Sequence, residues 1–239
     1  MDALRADERG GGPSNGRYPL FLLGIFGVEF IVLGIHPWYR QDWLLENVLV
    51  VAALAVLIPG YRRLRFSNLA YTLMCLFLLL HEVGAHYTYS LVPYDRWIEH
   101  LGGTAPTAHF ALSRNHYDRV IHFAYGLLML VPVIELLRAV SPSRGIWRYL
   151  LPILFLLSQS AAYELIEFAA ALAFGGHLGV AYLGTQGDPW DSQKDMACEL
   201  AGSVMAMATV IAFEVARRGL RRDDRRLARR QNAGKSARG

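Results

Sequence analysis

Six apolar runs, each long enough to cross a bilayer, limit what this chain can fold into. They cover roughly Tyr18–His36, Trp43–Pro59, Ser67–Leu91, His116–Leu137, Trp147–Phe174 and Gln193–Ala216. A spanning helix requires ~20 such residues. Hydrocarbon offers no hydrogen-bond partner, so each run must satisfy its own backbone and is predicted to be a helix. The expected fold is all-α: a polytopic membrane protein built as a bundle of six transmembrane helices. Composition agrees, since 54% hydrophobic with only 18% charged residues is wrong for a soluble domain. No small-residue cleavage site follows the first run, so it is expected to be retained rather than removed as a signal peptide.

Charge orients the bundle. Arg5, Arg9 and Arg17 precede the first span; Arg62, Arg63 and Arg65 follow the second; Arg138, Arg144 and Arg148 follow the fourth. A dense Arg series from Arg217 to Arg238 follows the sixth, while the alternate segments hold few basic residues. The positive-inside rule then places both termini in the cytoplasm, as an even number of spans requires. Three regions are expected: a disordered tail over 1–16, a membrane domain over 17–217 and a basic cytoplasmic tail over 218–239. The tail suits anionic lipid head groups. No aromatic interleaving or known module accompanies it, which argues against nucleic acid. Cys75 and Cys198 both fall inside spans and are expected to be packing residues.

With orientation assigned, the ionisable residues acquire depth. His81, Glu82 and His86 end the third span, which contains no acidic, basic or histidine side chain from Leu69 to Leu80. At 1.5 Å per residue, His81 stands ~20 Å above Ser67. The fourth span opens with His116, Asp118 and Arg119, with His122 one turn deeper. Glu164 and Glu167 lie in the outer part of the fifth. Asp188, Asp191, Asp195 and Glu199 begin the sixth, and Glu29 and Glu46 fall in the outer halves of the first two. All are on the extracytoplasmic side, where chance would have scattered them. Asp118 and His122 are i,i+4, Glu164 and Glu167 are i,i+3, and Asp191, Asp195 and Glu199 form an i,i+4,i+8 stripe. Each set shares one helix face. Charge at membrane depth is expensive, so those faces should point into the bundle.

Each group admits a plain role beside a chemical one. His81–Glu82–Val83–Gly84–Ala85–His86 is not a zincin signature, because its second His is at i+5. It can ligate a metal with help from another helix, or join helices by hydrogen bonds. Asp118 and His122 form a better ligand pair, unless Asp118 pairs with Arg114 or Arg119. Glu164 and Glu167 are too close to ionise together without a cation or a shared proton. Asp191 suits helix capping, with Asp195 the functional member and Lys194 a neutralising neighbour. Glu135 is expected to pair with Arg138. His36, His100, His109 and His177 read as surface residues. Trp38, Trp43, Trp97, Trp147 and Trp190 fall near span ends, as interfacial belts require.

The stretches Leu80–Tyr89, Arg114–Phe123, Glu164–Glu167 and Gly184–Met196 resemble the YjdF-like family of bacterial inner-membrane proteins. The resemblance covers about residues 18 to 217. It implies a multi-pass protein of the inner membrane and leaves the ligands open.

The expectation is a divalent metal such as zinc, held by His81, His86, Asp118 and His122 on the extracytoplasmic side. Glu82, Glu164, Glu167 or Asp195 would serve as general base for hydrolysis of a lipid or lipid-linked substrate. His116, Asp188, Asp191 and Glu199 complete the cluster. Two rival readings are a proton- or ion-coupled transporter and a non-catalytic assembly protein. A transporter should continue the polar path inward, where only Glu135 and Arg138 occur.

Overall fold

The computed structural model describes residues 16–176, 179 and 183–236, with backbone alone for 221–236. Among them every regular element is helical: α1 Arg17–Ile35, α2 Arg40–Gly60, α3 Asn68–His86, α4 Tyr94–His100, α5 Pro106–His109, α6 Tyr117–Val140, α7 Trp147–Phe174 and α8 Asp191–Ser236. Six of these are long and apolar enough to cross a membrane, α8 over Asp191–Leu220. The expected residues 1–15 of the disordered tail, and His177, lie outside the described residues.

Most boundaries fall within a turn of the hydrophobic runs, but α3 stops at His86 and not at Leu91. The next residues cannot continue it. Thr88 and Tyr89 adopt φ of 51° and 50°, a left-handed conformation that costs a non-glycine residue about 1–2 kcal/mol. The turn folds Tyr89 back over α3, and its N–H donates to the Gly84 carbonyl at 2.8 Å. A Cβ on Gly84 would come within 2.5 Å of the Tyr89 ring, so only glycine fits beneath it.

At one end of the bundle, Ser67 caps α3 by accepting from the Ala70 N–H at 3.1 Å. Ser67 in turn donates its N–H and hydroxyl to Glu135 at 2.8 and 2.6 Å. Glu135 is therefore not the partner of Arg138, which lies 3.8 Å from Glu214 instead. A carboxylate is better placed at a helix N-terminus, where two donors and the positive end of the dipole meet it. Arg148 and Arg218 also reach Glu214, at 3.4 and 3.2 Å.

The most intimate packing is between α6 and α8. A Cβ on Gly126 would collide with the Glu199 carbonyl, and one on Gly202 would collide with the Phe123 carbonyl. These two glycines face each other's helix and let main chain touch main chain, the usual solution where no hydrophobic effect drives association. Beyond them, Leu130, Val133, Ile134, Leu156, Ala206 and Met207 form a buried apolar layer across α6, α7 and α8.

By contrast, α1 and α2 lean on α3 and make little contact with each other. They meet near their shared loop, where the Phe30 and Trp43 rings are 5.1 Å apart. Trp43 packs inward against Gly34 and is buried, so it is not an interfacial anchor. Elsewhere α1 exposes Leu20, Phe21, Val28 and Ile31, a face suited to lipid and not to water.

Candidate functional site

The ionisable residues gather at the end of the bundle away from Ser67 and Glu135. Two loops are tied together above them. Asn115 donates its N–H to Gln186 Oε1 at 3.0 Å, and Gln186 Nε2 returns a bond to the Asn115 carbonyl at 3.0 Å. Arg114 donates to the Thr185 carbonyl at 2.9 Å. Gly184, at φ 59°, brings its backbone over Asp118, whose Oδ2 would lie 3.9 Å from a Cβ placed there.

Beneath this cover, two arginines hold the start of α8. Arg114 grips Asp191 through both terminal nitrogens. Arg119 donates to Asp188 at 2.6 Å and to Asp191 at 3.3 Å. Neither arginine pairs with Asp118, so that plain role for Asp118 gives way to pairing across the loops. Asp191 is bound chiefly as an arginine partner and not as a helix cap. Lys194 neutralises Asp188 at 2.6 Å. The Lys194 ammonium, the Trp190 N–H and Arg119 hold the Asp188 carboxyl well below the usual carboxylate range.

Asp118, Asp191 and Asp195 then converge, each offering an oxygen within 4.8 Å of the other two. Asp195 is 2% exposed, and its Oδ1 has no hydrogen-bond partner. The nearest cation is Arg119 Nε at 3.9 Å. One turn below Asp118, His122 places Nε2 3.7 Å from Asp118 Oδ1 and 3.3 Å from Glu164 Oε1. Its Nδ1 lies 3.3 Å from Ser160 Oγ. Glu164 and Glu167 are both buried. Glu167 lies in electrostatic range of Asp118, Glu164 and Glu46. The Tyr163 hydroxyl donates to Glu46 at 2.7 Å, joining α7 to α2. Glu199 is fully buried lower on α8 and accepts the Ser203 hydroxyl at 2.5 Å.

The histidines of α3 are elsewhere. Among the described residues, no three of His81, His86, Asp118 and His122 approach to ligand spacing. His81 Nδ1 lies 2.5 Å from the Tyr89 hydroxyl, and His86 Nδ1 lies 2.8 Å from the Leu33 carbonyl of α1. The i+5 separation sends the two rings to different neighbours, and Tyr89 closes over one of them. Glu82 is fully buried on the side of α2, near Trp43 and Asn47. His116 occupies the N-cap position of α6 at the rim without a side-chain capping bond, and its Nδ1 lies 3.3 Å from Arg119 Nη1.

Several contributors carried little signal in sequence. Tyr89, Tyr163 and Ser160 are ordinary residues of apolar stretches. Asp42, Trp43 and Asn47 are buried beside Glu46. The i,i+4 spacing of Asp42 and Glu46 was the available clue, obscured because Asp42 precedes the apolar run.

Two comparisons with known proteins give the family, and a third found nothing. The family model described as "Predicted membrane protein (DUF2238)" matches residues 18–215. The inner membrane protein YjdF of Escherichia coli (strain K12) is 38% identical over 184 residues, 76% of this chain and 81% of that relative. No solved structure matches the chain. Match length and identity together place the chain in the DUF2238 family of predicted membrane proteins, similar to YjdF over most of its length.

Proposed function

We propose that the protein resides in the inner membrane with both termini cytoplasmic, and that its extracytoplasmic half houses a divalent-cation site for hydrolysis of a lipid or lipid-linked substrate. The observation that carries this reading is one-sidedness. Asp118, Asp191, Asp195, His122 and Glu164 form a continuous polar group. From His122 to Leu130 is ~12 Å along α6, and there the apolar layer of Leu130, Val133, Leu156 and Met207 closes the bundle. A carrier needs a polar route through both halves, so this layer weighs against transport. The inner-membrane relative and the alternation of basic segments support the location and orientation.

The donor set revises the expected metal. Three carboxylate oxygens suit a hard ion such as Mg2+ or Mn2+ better than zinc, which favours nitrogen and sulfur. The partnerless, buried Asp195 Oδ1 fits such a ligand role. Arg114 and Arg119 hold Asp191 in place and leave Asp118 and Asp195 as the freer carboxylates. Asp118, Asp191 and Asp195 would hold the divalent ion, which would supply an activated water and charge stabilisation. His122 takes the proton at Nε2, between Asp118 and Glu164, and Glu164 stabilises the resulting imidazolium. Glu167, one turn along α7 from Glu164, would be a second proton acceptor.

The test is elemental analysis of full-length protein in nanodiscs, before and after chelation, beside Asp195→Asn and His122→Ala. Mass spectrometry of the surrounding lipid follows turnover. Stoichiometric Mg2+ or Mn2+ is expected in the parent and is lost in Asp195→Asn; His122→Ala keeps metal but forms no product. Metal-free protein in every preparation removes the cation site. Undiminished product from His122→Ala removes the assigned base.

A further inference from the structure

The geometry points to a second binding site, between α1, α2 and α3, for an amphiphile with a protonated amine head and an aliphatic chain. It shares no residue with the Asp118–Asp191–Asp195 group. It rests on the lipid-substrate reading only for its catalytic meaning, and binding there stands independently.

The polar part is a set of side-chain atoms, out of water, that the fold leaves unsatisfied. Both carboxylate oxygens of fully buried Glu82 lack hydrogen-bond partners. So do Asp42 Oδ1, Asn47 Oδ1, His81 Nε2 and Glu29 Oε2. Asp42 is 1% exposed and Asn47 3%, so bulk water does not satisfy them. Trp43 Nε1 and Asn47 stand near Glu82 yet short of hydrogen-bond geometry. Glu82 lies in electrostatic range of Glu29, and Glu46 in range of Asp42 and Glu82. Among the described residues no Lys or Arg lies within ion-pair distance of them, unlike Asp188 and Asp191, which Arg114 and Arg119 hold. Unpaired buried polar atoms are rare and call for a partner. Among the described residues no three of these acids and His81 approach to within metal-ligand spacing. An alkylammonium head needs only one or two of these acceptors and donates to them directly, so it suits carboxylates that do not gather into a metal's ligand set. The Trp43 and Phe30 rings beside it add aromatic faces suited to a cation.

The apolar part begins one turn away. A cleft of about 260 Å³ runs between α1, α2 and α3, lined by Leu22, Phe26, Leu54, Met74, Cys75 and Leu78. Phe26 is one turn from Glu29, and Leu78 is one turn from Glu82. The cleft reaches from there to Gly16 and Tyr61 at the basic end, ~15 Å along α1. It exists because α1 and α2 meet at Phe30 and Trp43 and diverge below. An aliphatic chain lies in this wedge with its amine between Glu29 and Glu82, each one turn above the cleft's lining. That disposition matches a lipid of the extracytoplasmic leaflet, head outward and tail inward.

The experiment is native mass spectrometry of the full-length protein released from maltoside micelles, after incubation with tetradecylamine, tetradecanol or ethanolamine. Tetradecylamine should bind at least about tenfold more tightly than either of the others, which lack the amine and the chain respectively. The pair Glu29→Gln with Glu82→Gln should abolish that preference while leaving tetradecanol binding unchanged. Leu22→Trp, which fills the cleft and keeps every carboxylate, should reduce chain binding with the same fold retained. Asp195→Asn should leave tetradecylamine binding unchanged, so loss of the cation site and loss of this site remain distinguishable. Equal binding of tetradecylamine and tetradecanol would overturn the amine assignment. Ethanolamine binding as tightly as tetradecylamine would overturn the role of the cleft.

Discussion

The α6–α8 half and the α1–α2 half solve the same problem, carboxylates buried in a membrane helix bundle, in opposite ways. In the first, Arg114, Arg119 and Lys194 meet Asp191 and Asp188, while Gly126 and Gly202 bring two backbones into contact. In the second, Glu29, Asp42 and Glu82 keep unpartnered oxygens, and an apolar cleft separates the helices. The first half pairs Asp188 and Asp191 within the chain and leaves Asp195 Oδ1 open. The second pairs none of its three open carboxylates with a cation, and each carries the cost of a buried polar atom without a partner.

The comparison predicts mutational effects of different size and sign. Gly202→Leu should be the most damaging, because its Cβ already overlaps the Phe123 carbonyl. We expect loss of the monodisperse species on size-exclusion chromatography, beyond the ~1–3 kcal/mol of ordinary overpacking. Arg114→Ala leaves buried Asp191 without its main partner and should destabilise by about 3–5 kcal/mol, read as a fall in Tm. Survival of either variant at parental Tm would dissolve the contrast between the halves. Glu82→Gln should move the other way, raising Tm slightly, by ~1 kcal/mol, since it removes an uncompensated buried carboxylate. A large loss of Tm there would mean that the chain itself satisfies Glu82.

The smallest effect is expected from Lys194→Ala, whose side chain is half-exposed. Its pH dependence is more informative than its size. The folded protein holds Asp188 below the ordinary aspartate value of ~3.9. The folded state therefore binds fewer protons than the unfolded state in that interval, and stability falls as pH falls. The Tm difference between parent and Asp188→Asn should be constant above pH ~4 and should shrink below it as Asp188 protonates. A difference that instead shrank near neutrality would implicate another group.

How far the sequence could be read follows the same division. Spans were legible because hydrocarbon enforces a length and a polarity. Trp147–Phe174 coincides with its apolar run, and burial of Asp191, Asp195 and Glu199 follows from their stripe. Partnership across helices was not legible. Helical spacing fixes which residues share a face but not which neighbour that face meets. Asp118 and His122 were therefore joined to the α3 histidines, whereas the structure joins Asp118 to Asp191 and Asp195. Tyr89 was invisible for another reason: a left-handed pair, Thr88 and Tyr89, reverses a chain that hydrophobicity alone would have extended to Leu91.

The reciprocal contact of Gly126 and Gly202 also has a mechanical meaning. Main-chain atoms set the distance between α6 and α8, and main chain does not change rotamer. The two helices should tilt as one rod when the bilayer thins or thickens. Asp118 on one helix and Asp195 on the other would then keep their separation in any lipid. Deformation would fall on the wedge between α1 and α2, which makes the α6–α8 pair a fixed gauge and the wedge its compliant hinge.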